Sequence, residues 1–184
     1  MMADDKSGGN PTHRTRQWLE AVVIGLNFCP FAKRELLRNT IRFIESPSQR
    51  IEEVLEQVVS ECEFLDVNQD TETTLLILPA GFEEFLDYLD MLEIAERLLT
   101  KLGYEGIYQI ASFHPNYCFA DADSEDAANF TNRSPYPMLH LLREASLDAA
   151  IDKHPDIEAI PGNNINKARL LGADYFHSVL EKLY

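Results

Sequence analysis

Apolar residues recur at three- and four-residue spacing in parts of this chain and run together or alternate in others, and this pattern lays out the elements. Leu19, Val22, Val23 and Leu26 make one helical stripe in a segment predicted to open near Thr12. Gly25 and Pro30 interrupt it, so Asn27-Phe28-Cys29-Pro30 reads as its end or a kink, with a short helix resuming over Phe31–Arg38. Ile41–Glu45 alternates and is β-branched, which predicts a strand. Ile51, Val54, Leu55, Val58, Val59, Cys62 and Leu65 keep helical spacing, with glutamates off that stripe. Thr73–Leu78 is a short apolar run of the kind found in a buried strand, and Pro79-Ala80-Gly81 closes it. A long helix is predicted over Phe82–Leu102, ended by Gly103, and a third strand over Ile107–Phe113.

The segment from His114 to Ser134 has no period and is long for a connection, which itself points to function. Ser134 reads as an N-cap with Pro135 at the first helical position, predicting a helix to about Lys153 that would carry His140 and Arg143. A last helix is expected from Asn163 or Asn164 through Leu183. Strands separated by helices favour parallel pairing through right-handed crossovers. The expectation is therefore one α/β domain over residues 12–184, with a small, mostly parallel sheet of three to four strands and helices packed on it. An extra strand would fall near Tyr117–Ala120, a ferredoxin-like α+β arrangement is the alternative, and residues 1–11 read as a flexible tail.

Charge adds a second layer. The chain has 16 Lys and Arg against 31 Asp and Glu, a formal net charge of −15. That balance disfavours nucleic-acid binding through a basic surface. From Glu45 to Asp126 there are 20 acidic and 3 basic residues, so the helices carrying Glu52–Glu63 and Glu83–Glu96 present acidic faces. These read either as solvated faces or as a docking surface for a basic partner. No run approaches the ~20 apolar residues of a membrane span, and the polar start lacks a secretory core. Cys29, Cys62 and Cys118 form no C-x-x-C pair, and so few cysteines suggest a reducing, cytoplasmic setting.

The candidate chemistry collects after the third strand. In open α/β sheets ligands bind at the carboxyl ends of strands, and His114 stands there. The candidate catalytic groups are His114, His140 and Cys29, and the candidate ligand contacts are Tyr117, Asn132, Arg133, Ser134 and Arg143. His114 reads as an acid/base group or as the end of a strand bonded to a carbonyl. Arg133 reads as an anion contact or as a clamp on loop carbonyls. Pro135 and Pro137 remove amide donors, so an anion at this helix start would depend on Arg133, Ser134 and Tyr136. Cys29, with Lys33 and Arg34 nearby, reads as a reactive thiol or as a buried apolar side chain.

Three motifs, NFCPFAK from Asn27, SFHPNY from Ser112 and TNRSPYPMLHLLRE from Thr131, together resemble a bacterial domain-of-unknown-function family, family 1415. The resemblance covers nearly all of the chain beyond the tail and implies no mechanism. Its matching positions here are Asn27, Cys29, Pro30, His114, Pro115, Asn132, Arg133, Ser134, Pro135, His140, Arg143 and Glu144.

No motif names a cofactor. Asp121-x-Asp123-x-Glu125-Asp126 approximates a calcium loop, but Asp126 stands where glycine is required and Asn132 where the terminal glutamate belongs, which rejects an EF-hand. His114, Asp121, Asp123 and His140 suit zinc or manganese by ligand type, without a spacing motif. The leading expectation is a binding domain or enzyme for a small anionic ligand, with a pocket built from residues 114–143. The His114–Ser134 loop is expected to fold over the carboxyl end of the sheet and wall that pocket, anchored by Tyr117, Phe119, Phe130 and Tyr136. The alternatives are an interaction protein using its acidic helices and a thiol-dependent activity at Cys29.

Overall fold

The computed structural model describes residues 10–151 and 156–183. Helix α1 (Pro11–Trp18) starts at Asn10, whose side chain accepts from the His13 amide at 3.2 Å, with Pro11 at a first-turn position that needs no N–H donor. Pro11 therefore belongs to the helix, and the rest of the expected tail, up to residue 9, lies outside the described residues. The helix widens into a π-helical segment, Leu19–Ile24. It ends at Gly25, where a Cβ would sit 2.4 Å from the Ala21 carbonyl oxygen. Asn27 then turns the chain with a positive φ of 54°. This is the predicted break, and it aims Cys29 back toward the sheet.

The remaining elements are α2 (Ala32–Arg38), β1 (Ile41–Glu45), α3 (Ile51–Val67), β2 (Thr73–Ile77), α4 (Phe85–Lys101) and β3 (Tyr108–Phe113), followed by β4 (Met138–Arg143), α5 (Glu144–Ile151), α6 (Ile160–Leu171) and α7 (Ala173–Glu181). The order through β3 follows the hydrophobic pattern. Three expectations after it do not hold. Residues 134–143 are not a helix: Met138–Arg143 is a strand, and the helix begins only at Glu144. The prolines at 135 and 137 push the residues before them into extended backbone, and Met138–Leu142 then continues as a central strand. The fourth strand is thus β4, not Tyr117–Ala120. The last helix is two, broken at Gly172 with φ 81°. The expected helix end at Lys153 lies outside the described residues.

The sheet order is β1-β2-β4-β3. β1 and β2 are parallel, joined by α3, while β4 is antiparallel to both β2 and β3. The sheet is therefore mixed rather than mostly parallel. The reason is the return of the chain: β3 ends at Phe113 opposite Met138, so residues 114–137 make one long hairpin connection and β4 inserts between β3 and β2. The β2–α4–β3 unit with β4 between its strands is the split βαβ element of the α+β alternative.

Strand alternation sends side chains to two apolar layers. Leu76, Leu139 and Leu141 face α3 and α4, packing with Val54, Val58, Tyr88 and Met91. Leu75, Ile77 and Met138 face the other way, against Trp18, Val22, Phe130, Ala168 and Phe176. Helices thus cover both faces of the sheet, an α/β architecture. Gly81 (φ 91°) makes the turn after β2, where a Cβ would come 2.6 Å from Gln49 Cα. No described helix is long and apolar enough to cross a membrane.

Candidate functional site

On the α1 side of the sheet the layers do not close fully. A cavity of about 250 Å³ lies between the sheet, the turn around Cys29, α2 and α5. It is larger than the ~150 Å³ cavity that holds benzene in an apolar core and just below the ~300–1,000 Å³ of drug-sized pockets. Trp18, Leu19, Val23, Phe31, Ile41, Leu75, Ala111, Phe113, Leu142 and Leu147 make most of its wall. The sheet residues alternate as required: Ala111 pairs with His140 and His140 with Leu75, so all three side chains rise from the same face.

The polar groups in this wall are few. His140 Nε2 lies 2.6 Å from the Thr73 hydroxyl. The single Thr73 proton goes to the Leu141 carbonyl, so Thr73 accepts from His140 and the ring proton sits on Nε2. Nδ1 is then an acceptor. Burial pushes the His140 pKa down to about 4, which keeps the ring neutral near pH 7. Glu35 accepts from Arg34 at 2.6 Å and from the Thr40 hydroxyl at 2.7 Å. Burial raises the Glu35 pKa, but those bonds and the charges of Arg34 and Arg38 outweigh it and leave the carboxyl below its ordinary value. Glu72 also lines the cavity, and its Oε1 is buried without a hydrogen-bond partner.

The residues expected to form the site from sequence divide between this cavity and the framework. His140, Cys29 and Arg143 line the cavity. Arg143, however, spends its guanidinium on the carbonyls of Leu65, Asn68 and Thr71, at the end of α3, and on the Tyr108 hydroxyl at 3.3 Å. His114 is fully buried away from the cavity. Its Nδ1 accepts from the Asn116 amide at 2.9 Å and its Nε2 donates to the Phe82 carbonyl at 2.9 Å, with Phe85 and Tyr88 packed on the ring. Burial holds its pKa below the ordinary value, and the Phe82 bond with the charges of Glu84 and Glu83 pulls it partway back.

Arg133 does lie close to His114, because the His114 amide donates to the Asn132 carbonyl at 3.2 Å. But its guanidinium donates to the Tyr117 carbonyl at 3.0 Å and the Ser124 carbonyl at 2.7 Å, and stacks over Phe130. Ser134 donates to the Tyr136 carbonyl, not to a helix start. Asn132 donates to the Ser112 carbonyl at 3.2 Å. Tyr117 packs on Phe85 and Phe119. The 114–134 loop is thus cross-braced, and none of its residues lines the apolar cavity. It helps wall a second space of about 290 Å³ through Phe119, Thr131 and Asn132, together with Phe28 and Asn164. Cys29, Val23 and Phe113 stand between the two spaces and line both.

The first cavity is weighted to the amino ends of β1 and β2, where Ile41, Glu72 and Thr73 stand, and not to the carboxyl end expected from a parallel sheet. Among the described residues no three His, Cys, Asp or Glu side chains gather as a metal site would need, so His114, Asp121, Asp123 and His140 do not meet at one point. Sequence reasoning passed over Thr73, Glu72 and Glu35. Their signal is the same in each case: a polar side chain in or next to an apolar element.

Fold and cavity together define a three-layer α/β protein with an apolar pocket over one face of a mixed sheet. Residues 10–178 match the family described as "Protein of unknown function (DUF1415)", and the chain belongs to that family. No curated protein and no solved structure matches it.

Proposed function

We propose that this protein binds a small molecule with a compact, mostly apolar body in the cavity over the sheet face, with His140 as the group that addresses its polar end. The observation that carries this reading is the pairing of an apolar wall with a single neutral imidazole whose tautomer is fixed by Thr73. Small-molecule binding stays as the sequence suggested, while the choice of an anion loses its main support, since Arg133 and Arg143 both donate to backbone carbonyls. Cys29 serves as wall at the junction of the two spaces. An NMR titration of the protein with toluene and benzyl alcohol tests the reading. Saturable shifts are expected at the amides of Leu75, Ala111 and Leu142, and Ala111→Leu, which puts a larger side chain into the space, should abolish them. Absence of any saturable shift in the wild-type protein overturns it.

A second reading follows from the layer arrangement. α3 and α4 pack on the same face of the sheet, so exposed Glu52, Glu53, Glu56, Glu63, Asp87, Asp90, Glu93 and Glu96 share one side of the molecule. Such a face suits a basic protein partner. Salt-sensitive binding of a lysine-rich peptide, lost when Glu53, Glu56 and Glu63 are changed to Gln, would support it, and binding indifferent to those changes would remove it.

A further inference from the structure

We infer that the polar end this cavity accepts is a hydrogen-bond donor, a protonated primary amine on the compact apolar body; this rests on the small-molecule reading above and deepens it. The cavity wall uses up most of its own donors and acceptors. Arg143 is occupied by carbonyl oxygens and the Tyr108 hydroxyl. Arg34 gives its Nε to Glu35, and the two oxygens of Glu35 accept from Arg34 and Thr40. The Thr73 hydroxyl gives its proton to Leu141 and takes one from His140. Two groups remain. One is Nδ1 of His140, which the Nε2 tautomer makes an acceptor and which has no partner among the described residues. The other is Glu72 Oε1, buried and without a partner.

Both remaining groups are acceptors, and a carboxylate oxygen without a donor is the less tolerable of the two. A carboxylate or phosphate brought here would add a third acceptor and a second negative charge. A hydroxyl brings one proton, enough for one of the two. An ammonium brings three protons and the charge that Glu72 lacks, since no ion pair reaches Glu72 among the described residues. The surrounding Trp18, Ile41, Leu75 and Phe113 wall would take the apolar remainder.

The test compares molecules of one shape and different ends on the intact purified protein: benzylamine, benzyl alcohol, benzoate and toluene, with methylamine as a probe of surface charge alone. Binding is followed by NMR shifts at Ala111 and Leu142 and by the melting temperature. Benzylamine is expected to bind tightest, benzyl alcohol next, benzoate and methylamine not at all. Glu72→Gln should weaken benzylamine roughly tenfold, the scale of one lost charge-assisted contact, and leave toluene unchanged. Ala111→Leu should remove all of these effects, which separates the cavity from the acidic surface. Equal binding of benzyl alcohol and benzylamine, tightest binding of benzoate, or a Glu72→Gln variant that binds benzylamine as wild type overturns the inference while the cavity reading stands. If toluene and benzyl alcohol also fail to bind, the cavity reading falls with it.

Discussion

His140 on β4 and Thr73 on β2 are joined across the sheet by a 2.6 Å bond from the imidazole Nε2 to the hydroxyl, and the hydroxyl hands its own proton to the Leu141 carbonyl. The relay has one direction only. Protonating the ring cannot improve it, because the Thr73 contact already uses the Nε2 proton and burial opposes the added charge.

Stability should therefore fall in mild acid. A histidine whose folded pKa is about 4 against an ordinary 6.5 takes up its proton more readily when unfolded, so the unfolded state gains as pH drops through 6.5 toward 4. The stabilisation is complete above pH 6.5, and about 2 kcal/mol of it should be gone by pH 5. His114, also lowered, contributes in the same sense. Urea denaturation at pH 7 and pH 5 measures this. His140→Gln should flatten the dependence without removing it, and an unchanged slope in that variant would contradict the assignment.

Arg143 is expected to matter for folding and not for anions. Arg143→Ala leaves the Leu65, Asn68 and Thr71 carbonyls at the α3 end without their donor, at a cost of about 3 kcal/mol. Arg143→Lys, a point charge in place of a planar fork, should recover only part of it. Denaturant midpoints read both. Phosphate or sulfate should stabilise wild type no more than either variant.

Arg133 braces the loop instead. Arg133→Ala removes its bonds to the Tyr117 and Ser124 carbonyls, so amide exchange should quicken across residues 115–126 and proteolysis should begin there. Exchange in β2 and β4 should stay as in wild type. Uniform acceleration throughout the protein would mean that the loop and core open together.

The cysteines should separate by reactivity. Cys62 is fully buried among α3 side chains, and burial pushes its thiol up to about 12, helped by Asp66, Glu61 and Glu63. It should resist iodoacetamide until the protein unfolds. Cys29 is half-buried and opens onto both cavities, so in a Cys118→Ser background it should be alkylated in the native protein. A cavity-filling ligand should slow that reaction. Protection of Cys29 equal to that of Cys62 would place it in the core.

The local elements as far as Phe113, the turn at Asn27–Pro30 and the family are legible in the residues alone, because helical stripes, β-branched runs and glycine or proline breaks are read over a few neighbouring residues. For Arg133 the sequence offered an anion contact or a clamp on loop carbonyls, and the bonds to Tyr117 and Ser124 are those of the clamp. Long-range packing takes over from local signals at Pro135. A short run such as Met138–Leu142, apolar at four of its five positions, carries the same signal in a helix and in a central strand. Insertion of that run between β2 and β3, set by contacts distant in sequence, made it β4. The same insertion turned His140 onto the face of Leu75 and Ala111 and left the cavity there. It also brought Arg143 up against the Leu65, Asn68 and Thr71 carbonyls, which its own sequence neighbourhood does not contain. Whether an arginine holds a ligand or a backbone oxygen depends on which acceptor folding delivers to it, and that is a matter of long-range packing.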